Sequence, residues 1–499
     1  DIWAERMPWR WVLAGVLVTV WRFAGTGWAP VDDCDEVFNY WEPLHFLAHG
    51  SGMRTWEYCP EYGLRSYLYV GLHLPVVLVT HLFGMPKHWA FLAVRLMLAA
   101  LSSAVDVSLA SAASQLLGKS TSLVYLLFVC LCPGMMRAST AMLPSSLAMM
   151  CVTASTTCWI RNLLARRQHD RNRKEDGDQR VGQNSEAGGG QHHLMWGIYL
   201  AATSVWCGWP FSVLCFLPLA IHVLCNTRFL WALKHAILAS VSLLALVIGV
   251  DYCIYGRLLL SPFQLLFYNV TSSTESGSAL FGVEPWHFYL RNLAINFNII
   301  LVLALLAPLF IVAFRRSCLW KLYFSAVPFL LWLAFFTVQP HKEERFIYPV
   351  YGLLCLSAAI LIHELSSVLR PALFKVAWWT LVTALFVLCV GRMSAIHQNF
   401  GAPVRVLDAL HHPDVLAELH NMRPDPLTGK FNVCIGKEWF RFQSSFFLPH
   451  SARLRFIKSG FDGLLPHSYE EDSYVPWKGA SLTCSPSTNN LNQEDPSLY

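Results

Sequence analysis

The sequence predicts an all-α protein that crosses a membrane many times. Of its 499 residues, 55% are hydrophobic and 14% are charged, whereas soluble domains carry about 25% charged residues. The mean hydropathy is +0.41, and apolar runs of about 20 residues, the length that crosses a bilayer, recur along the chain. The net charge of +5 is distributed over many loops, so we expect no nucleic-acid partner.

Ten apolar segments are predicted to be membrane spans. They lie at 9–27, 66–84, 89–115, 119–160, 196–225, 231–250, 290–314, 317–338, 346–366 and 372–392. Two of them are irregular. Segment 119–160 is long enough for one broken span or for a span with a re-entrant piece, and Gly208-Trp209-Pro210 interrupts 196–225.

The distribution of Lys and Arg predicts the orientation of the spans. Short basic connections follow residues 314 and 369, and cytosolic loops carry an excess of these residues. A third basic segment, 161–195, is polar, Gly-rich and without periodicity, which predicts a disordered cytosolic insert. By alternation, loops 27–65, 251–289 and 339–345 and everything after residue 392 then face the opposite, lumenal side.

The tail differs from the preceding 392 residues in its pattern. Residues 1–392 are predicted to form one multi-span catalytic module, and 393–499 a small lumenal domain that contains β-structure, because short alternating runs lie between turn residues. In a lumenal environment two cysteine pairs are candidates for disulfides, Cys34 with Cys59 and Cys434 with Cys484, and the sequence leaves the pairing open. Cysteine spacing suitable for zinc is absent from the sequence.

Four carboxylates lie directly after the first span, in VDDCDEVFNYWEPLHFL (31–47): Asp32, Asp33, Asp35 and Glu36. A carboxylate that is close to other carboxylates and to a low-dielectric region binds its proton more tightly, which suits a general base. Such a cluster also suits a divalent cation, and one Asp is often only a helix cap. Capping does not account for four carboxylates, so we expect chemistry from at least one.

A second polar cluster, HKEER at 341–345, separates two strongly apolar spans. His341, Lys342 and Arg345 are cations within five residues, and Arg matches phosphate in a bidentate manner. Basic residues at an interface also extend to lipid headgroups without a further function. Five consecutive charged or titratable residues instead favour a grip on a phosphate whose lipid tail stays in the bilayer.

Aromatic residues accompany these polar clusters. They are Tyr40, Trp41, Trp56, Tyr58, Trp286, Tyr289, Trp439 and Phe440. Individually each fits the aromatic belt of any membrane protein, but next to carboxylates in loops they favour a carbohydrate site. A base, a phosphate grip and sugar platforms on one face predict glycosyl transfer from a lipid-phosphate sugar.

Several longer stretches carry a family resemblance. They are DCDEVFNYWEPLHFL (33–47), TWEYCPEYGLRSY (55–67), ASTAMLPSS (138–146), GWPF (208–211), YNV (268–270), FGVEPWHFYLRNLAINFN (281–298), HKEERFIYPVY (341–351), NVCIGKEWFRFQSSFFLP (432–449) and NNLNQEDPSLY (489–499). With them the chain resembles the endoplasmic-reticulum mannosyltransferases that use dolichyl-phosphate-mannose. More narrowly, it resembles the α-1,2-mannosyltransferases of asparagine-linked glycosylation, which act in lipid-linked oligosaccharide assembly.

The resemblance implies a GT-C glycosyltransferase bundle with a large first lumenal loop, in the endoplasmic-reticulum membrane. It implies transfer of mannose from dolichyl-phosphate-mannose to the 2-hydroxyl of mannose on dolichyl-pyrophosphate oligosaccharides that carry six or eight mannoses. The α-1,2 linkage would form with inversion, without a metal or cofactor. Membrane lipids would be the remaining partners.

The resemblance also implies roles for individual residues. Asp35 would be the base, with Asp33 and Glu36 supporting it or binding sugar hydroxyls, although Asp33 stays an alternative for the base. His341, Lys342 and Arg345 would hold the donor phosphate. The remaining sugar-binding candidates are Tyr40, Trp41, Glu42, Glu284, Trp286, His287 and Glu343. Separately from the resemblance, the triplet Asn269-Val270-Thr271 makes Asn269 a candidate glycosylation acceptor.

Two other functions compete with this interpretation. Mannosyltransferases of glycosylphosphatidylinositol assembly share HKE-type motifs, but FNVCIGKEWFRF (431–442) argues against that branch, as does Asp33-Cys34 where many relatives with other acceptors carry His-Pro. A lipid transporter or scramblase fits the composition. Transporters favour paired repeats with polar groups at the membrane midplane, and we expect only Asp106, paired with Arg95, and Asp251 to be charges near the interior.

Overall fold

The computed structural model describes residues 9–175, 190–271, 278–421, 424–426, 429–469, 484–485 and 487–499. Helices dominate this part of the chain, as the sequence predicts. In chain order they are α1 (Trp9–Thr26), α2 (Cys34–Glu36), α3 (Glu42–His49), α4 (Tyr67–Gly71), α5 (Leu74–Leu82), α6 (Lys87–Leu116), α7 (Lys119–Leu131), α8 (Pro133–Ala138), α9 (Pro144–Glu175), α10 (Gln191–Thr203), α11 (Leu217–Asn226), α12 (Phe229–Tyr255), α13 (Ser261–Thr271), α14 (Phe288–Phe297), α15 (Ile299–Phe314), α16 (Trp320–Tyr323), α17 (Ala326–Val338), α18 (Tyr351–Ser366), α19 (Pro371–Phe400), α20 (Ala402–Ala409) and α21 (Pro413–Asn421).

Within the described residues, four helical stretches are long and apolar enough to cross a membrane unaided. They are Lys87–Leu116, Phe229–Tyr255, Glu344–Ser366 and Pro371–Phe400. Two bent pairs bring the number to six, with bends of 113° between α14 and α15 and 58° between the segment Arg316–Tyr323 and α17. The protein is therefore a multi-pass membrane protein, although several of the ten predicted spans are built from shorter helices.

The bend before α15 corrects the predicted span at 290–314. Asn298 lies at φ 51° and ψ −128°, a conformation outside the helical region. The helix is interrupted there, and the apolar run continues at a sharp angle as α15. Segment 119–160 is likewise broken, because helices end at Leu131 and Ala138 and begin again at Pro133 and Pro144.

The core of the bundle is built around α18, which packs mainly against α15 and α7. The apolar part of the segment Glu344–Ser366, which contains α18, is 89% buried, whereas the still more apolar helices α12 and α19 are 17% and 11% buried over the same length. A helix that is apolar on every side belongs in a core or in lipid. Helix α18 occupies the core, and α12 and α19 present their exposed apolar side chains to the bilayer.

Buried charge in the bundle is paired differently from the sequence prediction. Arg22, which is 0% exposed, donates to Asp106 Oδ2 at 2.5 Å. Arg95 instead donates to the carbonyl oxygens of Thr26 and Ala29 at 2.7 and 2.6 Å. The predicted Asp106–Arg95 pair is therefore wrong, because Arg95 caps the C-terminal end of α1.

The basic insert is also more ordered than predicted. Helix α9 continues through its first part to Glu175, and α10 begins at Gln191. The prediction of disorder is therefore wrong for 161–175 and 191–195, while 176–189 lies outside the described residues. Helix α9 packs against α6 and α10, and packing of this kind stabilises helices more than intrinsic propensity does.

The tail folds back onto the first loop. Strands β2 (Phe431–Ile435) and β3 (Ala452–Phe456) pair in parallel, and β1 (Met53–Arg54) of the first loop pairs with β4 (His467–Ser468). Helix α19 runs past residue 392, the predicted boundary, to Phe400. A disulfide joins Cys59 to Cys484, while Cys34 and Cys434 are free thiols, so both predicted disulfide pairings are wrong.

Candidate active site

The two polar clusters predicted from the sequence meet at one end of the bundle. Arg345 donates through Nη1 to both carboxylate oxygens of Asp33, at 2.6 Å each. Its other terminal nitrogen, Nη2, lies 2.5 Å from Asp35 Oδ2 and 2.5 Å from Glu343 Oε2. Three carboxylates from two segments that are about 310 residues apart therefore surround one guanidinium.

Local structure fixes the two sides of this contact. Asp33 is the N-cap of α2, because its Oδ1 accepts from the backbone N–H of Asp35 at 3.0 Å; this is the usual role of Asp at such a position. On the opposite side Trp332 of α17 donates its indole N–H to the carbonyl oxygen of Phe346 at 2.8 Å. The backbone next to Arg345 is thus held by a buried tryptophan.

Residues 341–343, which include Glu343, also contact the loop before α14. His341 lies 2.8 Å from Glu343 Oε1 through Nε2 and 2.9 Å from the carbonyl oxygen of Gly282 through Nδ1. Lys342 donates to the carbonyl oxygens of Glu284, at 2.8 Å, and Gln339. The buried Lys342 ammonium therefore joins two loops through these carbonyl oxygens, and its predicted role as a phosphate ligand stays a prediction.

A second ion-pair network runs beside the first. Arg137 of α8 contacts Asp32 and lies 3.5 Å from Glu344 Oε1. Asn292 of α14 donates to Glu344 Oε2 at 2.9 Å. The acidic cluster and HKEER are thus connected twice, once through Arg345 and once through Arg137.

The electrostatic environment shifts the pKa values of Asp33 and Asp35 in opposite directions. Burial, with the charges of Glu343 and Asp35 beside it, raises the pKa of Asp33 to about 7 although Arg345 opposes the shift. Burial also disfavours the charged form of Asp35, but Arg345 and Arg65 outweigh it, so the pKa of Asp35 is lowered. Asp35 is therefore ionised at neutral pH. Its Oδ1 has no hydrogen-bond partner among the described residues, and its side chain is 39% exposed.

The same three carboxylates are the candidate metal ligands of the described part of the chain. One oxygen of each of Asp33, Asp35 and Glu343 lies within 4.8 Å of the others, an oxygen-rich set that suits Mg²⁺ or Mn²⁺. Arg345 already occupies the centre of the set, so a cation there would compete with a guanidinium. The predicted independence from metal stays a prediction.

A small cleft of about 40 Å³ lies next to Arg65, the cation whose charge, after that of Arg345, lowers the pKa of Asp35. Arg65 and Tyr40 lie on one wall, and the other wall is formed by residues around the GWP sequence. The lining also includes Leu64, Ser66, Tyr69, Pro144, Trp206, Cys207, Gly208, Trp209, Pro210, Pro262 and Leu265. Arg65 is held in place by Glu57, at 3.1 and 2.9 Å, and donates to the Tyr40 hydroxyl at 2.8 Å. The cleft thus combines one fixed cation with aromatic and apolar walls.

Three predicted site residues instead face the protein interior. Glu36 is 4% exposed and accepts from the Trp41 indole at 3.0 Å and from the Met142 backbone at 2.9 Å. Trp41 and Glu42 are both 0% exposed. Their polar atoms are used to hold the acidic loop in place, so contact with a sugar is not available to these three side chains in this conformation.

The predicted residues of the loop before α14 are more exposed. Glu284 and Trp286 are exposed, with Trp286 at 66%, and His287 is half-buried. The loop adjoins the cluster because Glu284 N donates to the Pro340 carbonyl oxygen at 3.0 Å. Asn269 is exposed on α13, so its modification stays a prediction.

Sequence reasoning missed Arg65, Arg137 and Trp209 as site residues. Arg65 and Trp209 lie in stretches that carry the family resemblance, so those stretches were a usable signal. Arg137 follows an apolar run as an isolated cation, and isolated cations in membrane segments are a recognised indication of function.

The architecture matches a solved structure. ArnT from Cupriavidus metallidurans, solved with undecaprenyl phosphate, aligns with a TM-score of 0.57 at 11% identity, covering 89% of this chain and 85% of that one. The likeness concerns the fold alone, and it defines the class as a multi-span helical membrane protein of the GT-C fold.

The chain belongs to the Alg9-like mannosyltransferase family, whose sequence profile matches residues 13–449. It is similar to alpha-1,2-mannosyltransferase Alg9 of Drosophila melanogaster, at 33% identity over 96% of this chain and 74% of that protein. The corresponding proteins of Saccharomyces cerevisiae and Homo sapiens are 34% and 32% identical over 89% and 94% of this chain, and 74% of each relative is covered. GPI mannosyltransferase 3 of Candida albicans aligns with only 29% of the chain, at 29% identity, and covers 27% of that protein. The enzyme is therefore a glycosyltransferase, and the competing glycosylphosphatidylinositol branch is not favoured.

Proposed function

We propose that this mannosyltransferase moves mannose from dolichyl-phosphate-mannose to the 2-hydroxyl of mannose on dolichyl-pyrophosphate oligosaccharides in N-glycan precursor assembly. The relatives named as alpha-1,2-mannosyltransferases support the linkage. The six- and eight-mannose acceptors remain part of the proposal. Lipid-linked substrates fit a site that lies at the end of a membrane bundle.

The observation that carries the proposal is the open oxygen of Asp35. Both oxygens of Asp33 are engaged by Arg345, whereas Asp35 uses only Oδ2. By pKa alone Asp33 is the stronger base, because its pKa is raised and that of Asp35 is lowered. Access decides for Asp35, since it is ionised and partly exposed and its Oδ1 is the available proton acceptor of the pair. We therefore assign Asp35 as the general base and Asp33 as the carboxylate that orients Arg345.

The reaction is then a single displacement. The acceptor 2-hydroxyl loses its proton to Asp35 as its oxygen bonds to the anomeric carbon of the donor mannose. The bond from that carbon to the phosphate oxygen breaks, and dolichyl phosphate leaves as an anion. Attack opposite the leaving group inverts the anomeric centre, which converts the β-linked donor into an α-linked product.

The departing phosphate needs cations, and the position of Arg65 favours it over Lys342. Arg345 stays a predicted phosphate ligand, with its terminal nitrogens in contact with Asp33, Asp35 and Glu343. Arg65 lines the cleft and presents a planar set of donors that matches phosphate. Lys342 already donates to two carbonyl oxygens. The cleft beside Arg65, with Trp206 and Trp209 in its lining, is our proposed location for the donor's phosphate.

We place the reaction in the lumen of the endoplasmic reticulum. The disulfide between Cys59 and Cys484 ties the loop that carries the acidic cluster to the tail, and disulfides persist in oxidising compartments. The basic connections after α15 and α18 support a cytosolic location for the opposite end.

The test is the pair Asp35→Asn and Asp33→Asn in purified full-length protein, with transfer and donor binding measured separately. We expect Asp35→Asn to abolish transfer at every pH while donor binding stays within about threefold, because amide nitrogen and oxygen keep the shape but not the basicity. Asp33→Asn should reduce transfer less. Retained transfer in Asp35→Asn with loss in Asp33→Asn would exchange the two roles, and retained transfer in both would refute the site.

A further inference from the structure

The tail contacts the segment that carries Asp33 and Asp35 near both of its ends. At the first end Gln443 accepts from the backbone N–H of Val31 at 2.7 Å and donates to the Val31 carbonyl oxygen at 3.1 Å. Val31 precedes the two aspartates by two and four residues. The Gln443 amide, which is 2% exposed, thus pairs with the backbone in the manner of a neighbouring strand.

At the other end the next two tail residues hold Glu42. Its Oε1 accepts from Ser444 Oγ at 3.0 Å and from Ser445 N at 2.6 Å. Its Oε2 accepts from Ser445 Oγ at 2.8 Å and from Met53 N at 3.0 Å. A fully buried carboxylate with four donors is well compensated, so this contact fixes the start of α3.

Aromatic packing covers the length between these contacts. Phe442 stacks on Phe38 with ring centroids 6.1 Å apart. Phe446 meets Trp41 edge-on, also at 6.1 Å. All four rings are at most 2% exposed, so tail residues 442–447 pack along one side of the acidic loop.

We infer that Gln443 is a positioning residue for mannosyl transfer, holding the acidic loop so that Asp33 and Asp35 face Arg345. The inference rests on the proposed function of Asp35 as base. Gln443 acts through the backbone of Val31, and Glu42 anchors the far end of the same segment. Release of Val31 would let the loop shift relative to Arg345, and misplacement of a reacting group by about 1 Å costs up to about a hundredfold in rate.

The test uses Gln443→Met and Gln443→Glu in the full-length protein reconstituted in nanodiscs. Gln443→Met keeps the side-chain length but removes the two hydrogen bonds to Val31, together with the one that Gln443 donates to the Arg441 carbonyl oxygen within the tail. We expect kcat to fall between about tenfold and a hundredfold, while donor KM stays within about twofold. A neutral glutamic acid has one acceptor oxygen and one O–H donor. Gln443→Glu should therefore recover kcat, relative to wild type at the same pH, as the pH is lowered and the new carboxyl is protonated.

The matched control is Arg453→Met. Arg453 of β3 donates to Asp425 at 2.7 Å and to Asn432 at 2.8 Å, so its loss loosens the tail without touching Val31. If Gln443→Met and Arg453→Met lower kcat equally at equal loss of thermal stability, or if Gln443→Glu shows no pH-dependent recovery, the positioning role is refuted. Should Gln443→Met not fold, the recovery of Gln443→Glu within one preparation decides the question, with Ser445→Ala as a second variant.

Asp35→Asn assayed in parallel distinguishes failure of the proposed base from failure of the proposed positioning role. If Asp35→Asn retains transfer, the proposed base is wrong whatever the Gln443 variants do. If Asp35→Asn is inactive and Gln443→Met transfers at the wild-type rate, the base assignment stands and the positioning role alone fails.

Discussion

Replacement of Arg345 is the sharpest test of how the site is assembled. Arg345→Met removes four contacts to carboxylate oxygens, on Asp33, Asp35 and Glu343, and leaves three carboxylates within 4.8 Å of one another. Removing one partner of a buried ion pair costs about 3–5 kcal/mol. Because Asp33 and Asp35 retain 26% and 39% side-chain exposure, water and proton uptake relieve part of that cost. We expect a loss of about 3 kcal/mol in the free energy of unfolding.

The effect on activity should be larger than the effect on stability. Without Arg345 the donor phosphate loses a proposed cation and the pKa of Asp35 rises, since the guanidinium is what lowers it most. We expect transfer to fall by about a hundredfold to a thousandfold, the magnitude typical for a single electrostatic group at a reacting centre. Arg345→Lys keeps the charge but loses the planar fork, so it should restore part of the stability and little of the activity.

The measurements are unfolding in detergent and mannose transfer from a synthetic donor, with Arg316→Met as control. Arg316 is exposed and donates to the Val312 carbonyl oxygen, so its loss should change neither quantity. An Arg345→Met protein that lost less than about 1 kcal/mol, against the 3–5 kcal/mol expected for a broken buried pair, and kept more than a tenth of wild-type transfer would refute the reasoning.

Three further predictions follow from the disulfide, the carboxylate pKa and the oxygen cluster. Cys59→Ser should expose a maleimide-reactive thiol at Cys484, and Cys484→Ser one at Cys59, because the two pair in the fold, whereas Cys34→Ser should change the labelling of neither. The raised pKa of Asp33, about 7 against 3.8, means that the folded protein binds this proton more tightly than the unfolded chain. The stability contribution of Asp33 should therefore fall as the pH rises from 4 to 7, and Asp33→Asn should flatten that slope in thermal unfolding. Transfer should be unchanged by EDTA, because a guanidinium occupies the centre of the carboxylate cluster.

Each of these has a contradicting result. Maleimide labelling of Cys59 in the untreated protein would exclude the disulfide. A steeper slope between pH 4 and 7 in Asp33→Asn would assign the opposite direction to the pKa shift. Loss of transfer in EDTA with recovery on added Mn²⁺ would place a cation among Asp33, Asp35 and Glu343.

The sequence by itself determined the class of the molecule and located the two polar clusters that meet in the fold. Apolar runs cannot fold in water without burial, so the low charge and repeated 20-residue segments were sufficient for a helical membrane bundle. Charge is costly next to a bilayer, so dense clusters such as HKEER indicated a site from composition alone. The resemblance carried by those motifs agrees with the family to which the chain belongs.

Only the tertiary structure decided which of those carboxylates contact Arg345 at the proposed site and which are buried in the interior. Glu36 and Glu42 look like Asp33 and Asp35 in the sequence, yet their oxygens are taken up by backbone and hydroxyl donors in the interior. Cys59 pairs with a residue 425 positions away, a distance over which local pattern carries no information. Hydrogen-bond partners and disulfides depend on where the chain returns in space, and that is fixed by packing between distant segments.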